Sequence, residues 1–129
     1  MNIKILTNYC FTNSQRKWET AESLLKSKRY ADCLFFCHLT LEFILKGKVA
    51  KANNKMFPII HDLQDLANKA GISLDAQQKK ELAVINTFNI ASRYDDYKSS
   101  FYKTATPAYT KRYYQTTKKL YLWLKNQPV

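Results

Sequence analysis

The sequence is poor in the residues that turn a chain. Only 2 glycines and 3 prolines occur in 129 residues, too few for the many tight turns of a sandwich or barrel of strands. The composition is not that of a disordered segment either, because 46% of the residues are hydrophobic. These features predict an all-α fold, and the length is that of one domain, which we place at residues 1–129.

Long apolar runs are also missing, and no cysteine pair has CxxC spacing. The densest apolar stretch, residues 33–45, is interrupted by a histidine and a glutamate and is shorter than the ~20 residues of a membrane-spanning helix. Residues 1–12 hold only a short apolar patch, so no secretory signal is expected. A helical register turns Cys33 and Cys37 toward the core, which is typical of reduced thiols in a cytosolic protein. We expect a cytoplasmic protein without membrane association, bound metal or cofactor.

Acidic residues are scarce relative to basic ones. The chain has 10 Asp and Glu against 21 Lys and Arg, which gives a formal net charge of +11. The excess is spread through the chain, so a disordered basic tail does not explain it. Such a surface attracts nucleic acid, nucleotides, acidic partners or anionic lipid, and the charge alone does not choose among them.

Apolar periodicity predicts five helices. Thr12 with Gln15 fits a capping box for the first helix. Gly71 is suited to ending the third helix, and Thr106 with Pro107 to beginning the last. The predicted ranges are about 12–27, 29–52, 59–70, 73–92 with Ser73 or Asp75 as the cap, and 107–126, with an irregular pattern over 95–106. These segments predict an antiparallel, up-and-down bundle of four to five helices.

The second predicted helix is apolar on nearly all sides, which indicates a central position in the bundle and also suits a dimer interface. Its polar residues His38, Glu42 and Lys46 recur at i, i+4 and i+8 on one side. Because buried charges must be paired, we expect this ribbon to form a polar network with Arg93 or His61. The alternative, a metal site at His38 and Glu42, lacks a third ligand at suitable spacing.

Three segments together resemble a known family. Residues 29–46, RYADCLFFCHLTLEFILK, are similar to a helix signature y-x-x-a-x-f-x-x-q-x-x-x-E-x-x-l-K. Residues 61–66, HDLQDL, are similar to an H-d-l-x-x-L helix start, and residues 93–95, RYD, to an R-Y-p-d turn. In this order the segments resemble the HEPN domain family (higher eukaryotes and prokaryotes nucleotide-binding).

The resemblance implies an α-helical bundle that often forms a homodimer. It also implies small prokaryotic proteins that are frequently partnered with a minimal nucleotidyltransferase, in toxin-antitoxin and other defence or stress systems. Many members are metal-independent ribonucleases built on an R-x4-6-H motif.

This sequence departs from that ribonuclease motif. Counted from Arg93, the histidine would fall on Lys98, Ser99 or Ser100, and both histidines of the chain lie upstream. The tyrosine that follows the histidine in the subgroup modified by its partner corresponds to Ser100. An exposed lysine stays protonated near its reference pKa of about 10.4, so Lys98 is poorly suited to the proton transfer that RNA cleavage needs.

The segment just beyond the fourth predicted helix is the first candidate for binding. Arg93 cannot lose its charge, and with Tyr94, Asp95 and Lys98 it is suited to holding a phosphate or a loop of a partner. The alternative is a salt-bridged turn. Lys46 of the polar ribbon is a further candidate for binding. For His61, the alternative to a place in the network is a purely local role in capping the start of the third helix.

The last predicted helix is the second candidate. Lys111, Tyr114 and Lys118 combine cations with an aromatic ring, which suits phosphate contact together with base stacking. Tyr114 and Tyr121 lie off the predicted core stripe and are expected to be exposed. The alternative is an ordinary solvated helix face.

The sequence therefore predicts a non-catalytic HEPN-like domain. It binds a nucleotide or RNA, docks a nucleotidyltransferase partner, or both. The alternatives are a metal-independent ribonuclease with a degenerate R-x4-6-H motif, and a structural dimerisation module.

Overall fold

The computed structural model describes residues 2–91 and 95–128, without the side chains of residues 90, 91 and 95–98. These residues form six helices and no strand, which confirms the predicted all-α fold. The helices are α1 (Ile3–Lys26), α2 (Tyr30–Asn53), α3 (Leu63–Lys69), α4 (Ala76–Ala91), α5 (Asp95–Thr104) and α6 (Pro107–Lys125).

The first helix begins earlier than predicted, so the capping box at Thr12 is wrong. Asn2 caps α1 instead, and its side-chain oxygen accepts a hydrogen bond from the backbone N–H of Ile5 at 3.2 Å. The buried stripe of α1 contains Thr7, Cys10 and Ser14. These residues are small and partly polar, so apolar periodicity did not mark the first turns.

The central position of α2 is confirmed, because it contacts each of the other five helices. The residues that it buries include Leu34, Leu41 and Leu45 in the main core. It is not buried all round, however. Phe35, Phe36, Leu39 and Phe43, which share one side of α2, are only half-buried.

Helix α1 packs tightly against α2 at Gly47. A Cβ atom at this position would lie 2.5 Å from Cε1 of Phe11 and 3.1 Å from Cβ of Cys10. The missing side chain therefore lets the Phe11 ring lie directly against the α2 backbone.

The third helix is shorter than predicted. Asp62 is its N-cap and accepts from the backbone N–H of Asp65 at 2.9 Å, which leaves His61 in the preceding loop. Gly71 ends the helix as predicted, with a left-handed φ of 73°.

Both later helix starts that the sequence predicted are confirmed. Asp75 accepts from the backbone N–H of Gln78, and Gln78 accepts in return from the backbone N–H of Asp75. The side-chain oxygen of Thr106 accepts a hydrogen bond from the backbone N–H of Tyr109 and so caps α6. Pro107 is the first residue of this helix.

The segment expected to be irregular contains α5. Phe101 is buried there and its ring centroid lies 5.6 Å from that of Phe88, while Ala105 is buried just beyond the helix. With so few apolar residues in a polar segment, the periodicity was too weak to predict this helix.

Candidate functional site

The polar ribbon of α2 is buried, as predicted. His38 is 0% exposed, Glu42 6% and Lys46 9%. Successive positions at i, i+4 and i+8 lie on one side of a helix because its period is 3.6 residues. The three side chains therefore lie along one side of α2.

Glu42 is the centre of this network. Its Oε2 accepts a hydrogen bond from Nζ of Lys46 at 2.7 Å and lies 2.9 Å from Nδ1 of His61. Its Oε1 lies 3.5 Å from Nδ1 of His38. The contact between Glu42 and His61 joins His61 to the ribbon. The other predicted partner, Arg93, lies outside the described residues.

The surroundings of Glu42 lower its pKa. Burial opposes ionisation, but hydrogen bonds from Lys46 and His61 and the nearby charges of His38 and Lys46 outweigh it, so the pKa lies below the ordinary value of 4.5. Glu42 is therefore a carboxylate at neutral pH, as a buried acid with bonded cationic partners should be.

His61 forms the accessible edge of the network. Its side chain is 43% exposed, against 7% for Glu42. The loop that carries it is held at Asp62, whose Oδ2 accepts from the side-chain amide of Asn86 at 3.2 Å. When Nδ1 of His61 donates to Glu42, Nε2 is left as a proton acceptor.

Lys46 was predicted both in the network and as a surface cation, and the structure places it in the network. Its ammonium is bonded to Glu42 and lies 5.2 Å from the centroid of the Phe57 ring. Most of its charge is thus neutralised within the fold.

The predicted binding segment after α4 can be placed only in part. Arg93 and Tyr94 lie outside the described residues. The backbones of Asp95 and Lys98 are part of α5, but their side chains are not among the described parts of the structure.

The prediction that Tyr114 and Tyr121 are exposed is wrong. Tyr114 is 7% exposed and stacks on Trp18 with ring centroids 4.7 Å apart and an angle of 17° between the rings. Tyr121 is 3% exposed, and its hydroxyl donates to Oε1 of Gln15 at 3.0 Å. The packing of α1 along α6 widens the buried stripe of α6 beyond its apolar residues.

The predicted cations Lys111 and Lys118 are exposed on α6. No Asp or Glu occurs in α6, so the helix itself places no carboxylate beside them. We call the exposed surface of this helix the α6 basic face; its exposed cations are Lys111, Arg112, Lys118, Lys119 and Lys125. Lys111, Lys118 and Lys125 repeat every seven residues and extend along about 21 Å of helix at 1.5 Å per residue.

A groove next to this face was not predicted. It lies between α1, α2 and α6 and has a volume of about 580 Å³. Its residues include Phe11, Arg16, Ile44, Tyr121 and Lys125. No local pattern marks the groove, because its residues come from three different helices.

The all-α fold agrees with a comparison against known families. The model of the HEPN domain matches residues 7–127. The chain belongs to the HEPN family. Membership in this family supports a function related to nucleotides or RNA. No curated protein and no solved structure matches the chain significantly.

Two other kinds of site are not found in the described part of this HEPN domain. None of its helices combines the length and the apolar character needed to cross a membrane. Among the same residues, no three side chains of His, Cys, Asp or Glu gather as a group that could hold a metal ion.

Proposed function

We propose that this HEPN domain binds RNA or nucleotides through the α6 basic face and does not cleave the RNA that it binds. The observation that carries the proposal is the composition of this face, five exposed cations on a helix with no acidic residue. Phosphate oxygens are the principal partners of such a surface, and their neutralisation releases condensed counterions.

The cations of the face are available to a ligand. Within the described residues, no ion pair involves Lys111, Lys118 or Lys119. No carboxylate that the structure describes therefore neutralises these charges as Glu42 neutralises that of Lys46. A phosphate backbone along α6 can contact several of them at once.

The lack of a histidine after Arg93 supports binding without cleavage. Cleavage through the 2′-hydroxyl needs a group that moves protons near neutral pH. His38 is fully buried beside Glu42, out of reach of a bound strand. The family motif therefore has no proton-transfer group at its usual position.

A ribonuclease that uses His61 is the second candidate, and the hydrogen bond between His61 and Glu42 favours it. A carboxylate that accepts from Nδ1 orients the neutral ring and leaves Nε2 as the proton acceptor. In this reaction Nε2 takes the proton of the 2′-hydroxyl, and the 2′-oxygen attacks the adjacent phosphorus. The 5′-oxygen of the next nucleotide leaves and takes a proton from solvent, which produces a 2′,3′-cyclic phosphate.

Incubation with an end-labelled pool of single-stranded RNA separates the two candidates. The wild-type protein is expected to shift the RNA in a binding assay and to leave its length unchanged. Cleavage that is lost in His61→Ala and kept in the control Lys79→Ala would establish the ribonuclease instead. If the protein neither binds nor cleaves the pool, both candidates are wrong and the structural module replaces them.

We also propose a homodimer, since HEPN domains commonly dimerise. The half-buried side of α2 continues onto exposed apolar residues of α1, Ile5 at 66% and Tyr9 at 56% exposure. The rings of Tyr9 and Phe43 meet edge to face with centroids 6.4 Å apart. A second copy that covers this side would bury all of these residues. Sedimentation should show a dimer for the wild-type protein and a monomer for Tyr9→Lys.

The predicted nucleotidyltransferase partner, in a toxin-antitoxin or stress-defence setting, is a proposal that rests on the family. A gene for a small nucleotidyltransferase beside the gene for this chain, and co-purification of the two products, would support it. A solitary gene would count against it.

A further inference from the structure

The groove between α1, α2 and α6 continues the α6 basic face. Lys125 belongs to both, as the last cation of the face and as a wall of the groove. Arg16 of α1 is exposed on the same groove. A ligand whose phosphates follow α6 therefore reaches the groove without leaving a basic surface.

The groove is basic at its rim. Within the described residues, no ion pair involves Arg16 or Lys125. Lys48 lies deeper, and its ammonium donates to the backbone carbonyl of Gln127 at 2.8 Å. Burial, and to a lesser degree the nearby Lys51, lower the pKa of Lys48.

One acidic residue, Glu19, also lies at the rim. Its carboxylate accepts a hydrogen bond from the side-chain amide of Gln15 at 3.4 Å. Glu19 disfavours a phosphate beside it and can accept from the amino group of a base instead.

The interior of the groove suits an aromatic ring. Phe11 and Ile44 supply apolar wall, and the Phe11 ring is held in place by its contact with Gly47. The floor is polar at one point, where the Tyr121 hydroxyl lies 3.0 Å from Gln15 and 3.4 Å from Ser14. The volume of about 580 Å³ lies within the range of small-molecule sites.

We infer that the groove holds one nucleotide of a single-stranded RNA whose backbone follows the α6 basic face. The phosphate of this nucleotide lies between Arg16 and Lys125, and its base lies against Phe11. This inference rests on the proposed RNA binding and adds the preference for a single strand. A base in a duplex is paired and stacked, and cannot enter the groove.

The test compares the affinities for a fluorescent eight-nucleotide single strand and for a 16-base-pair RNA duplex. Arg16→Ala and Phe11→Ala are the groove variants, and the double variant Lys111→Ala/Lys118→Ala changes the face alone. Arg29→Ala is the control, because Arg29 is an exposed arginine outside the groove.

The groove variants should selectively weaken the binding of the single strand. Loss of a stacking partner lowers affinity by roughly 5- to 150-fold. Phe11→Ala should therefore lose affinity for the single strand by about this factor and keep its affinity for the duplex. Arg16→Ala should lose affinity in the same selective way. Arg16 is exposed, so this variant tests the groove even if Phe11→Ala does not fold.

The double variant of the face should lower the affinities for the single strand and for the duplex to the same degree. If the groove variants behave like Arg29→Ala, or weaken both ligands equally, the groove does not hold a nucleotide and the inference is overturned, while binding to the face stands. If the wild-type protein binds neither ligand, the proposed function itself fails.

Discussion

Nδ1 of His61 lies 2.9 Å from Oε2 of Glu42, across 19 residues of sequence. The bond joins the loop before α3 to the middle of α2. Because it is made by a buried carboxylate, it fixes the direction of His61 and holds the loop against the bundle.

Removal of the Glu42 side chain should cost far more stability than removal of an exposed carboxylate. Glu42→Ala leaves the buried ammonium of Lys46 without its partner, which typically costs about 3–5 kcal/mol. Glu19→Ala should change the free energy of unfolding by no more than about 0.5 kcal/mol, because Glu19 is exposed. Urea unfolding of both variants measures the difference. Equal costs would show that the network does not stabilise the fold.

The same carboxylate should make stability depend on acid pH. Its pKa is lower in the folded protein than the ordinary 4.5, so the unfolded chain binds the proton more readily. The stabilisation by Glu42 is therefore complete above about pH 4.5 and is lost as the pH falls through the lowered value. Between pH 5 and pH 3, the free energy of unfolding should fall less steeply in Glu42→Gln than in the wild type. A parallel fall in both proteins would rule out this role.

Two phenylalanines that differ in burial should differ in their contribution to stability. Phe88 is 0% exposed and packs against the rings of Phe101, Tyr109 and Tyr113. Phe88→Ala should cost about 3–5 kcal/mol, the usual cost for a buried phenylalanine. Phe36 is half-buried, so Phe36→Ala should cost clearly less in the same urea experiment. An equal loss would place Phe36 in the core.

A methyl group at Gly47 should destabilise the protein even though it favours the helix. Alanine gains about 1 kcal/mol of helix propensity over glycine. The new Cβ would overlap Cε1 of Phe11 at 2.5 Å, however, and forced repacking typically costs about 1–3 kcal/mol. Thermal unfolding should show a lower Tm for Gly47→Ala. A higher Tm would mean that the Phe11 ring moves aside freely.

The main features of the fold were predictable because they depend on local signals. The apolar content of α2 predicted its central position, and the caps at Asp75 and Thr106 predicted two helix starts. The first turns of α1 and the whole of α5 bury too few apolar residues for periodicity to show them. Such segments become helical through contacts with other helices.

The polar ribbon could be predicted from its spacing, whereas the groove could not. The i, i+4, i+8 positions of His38, Glu42 and Lys46 fix their common side within one helix. Tyr114 is buried because Trp18 of another helix stacks on it, and no helical pattern in α6 reveals that contact. Arg16 and Lys125 meet at one groove only through the packing of α1 beside α6.

The salt dependence of RNA binding tests the α6 basic face most directly. Each phosphate contact to a single strand contributes about 0.7 to the slope of log affinity against log salt concentration. We expect a steep loss of affinity with salt for the wild-type protein, and a slope smaller by about 1.4 for Lys111→Ala/Lys118→Ala, which removes two contacts. Arg29→Ala should keep the wild-type slope. A double variant with the affinity and slope of the wild type would contradict the binding of RNA at α6.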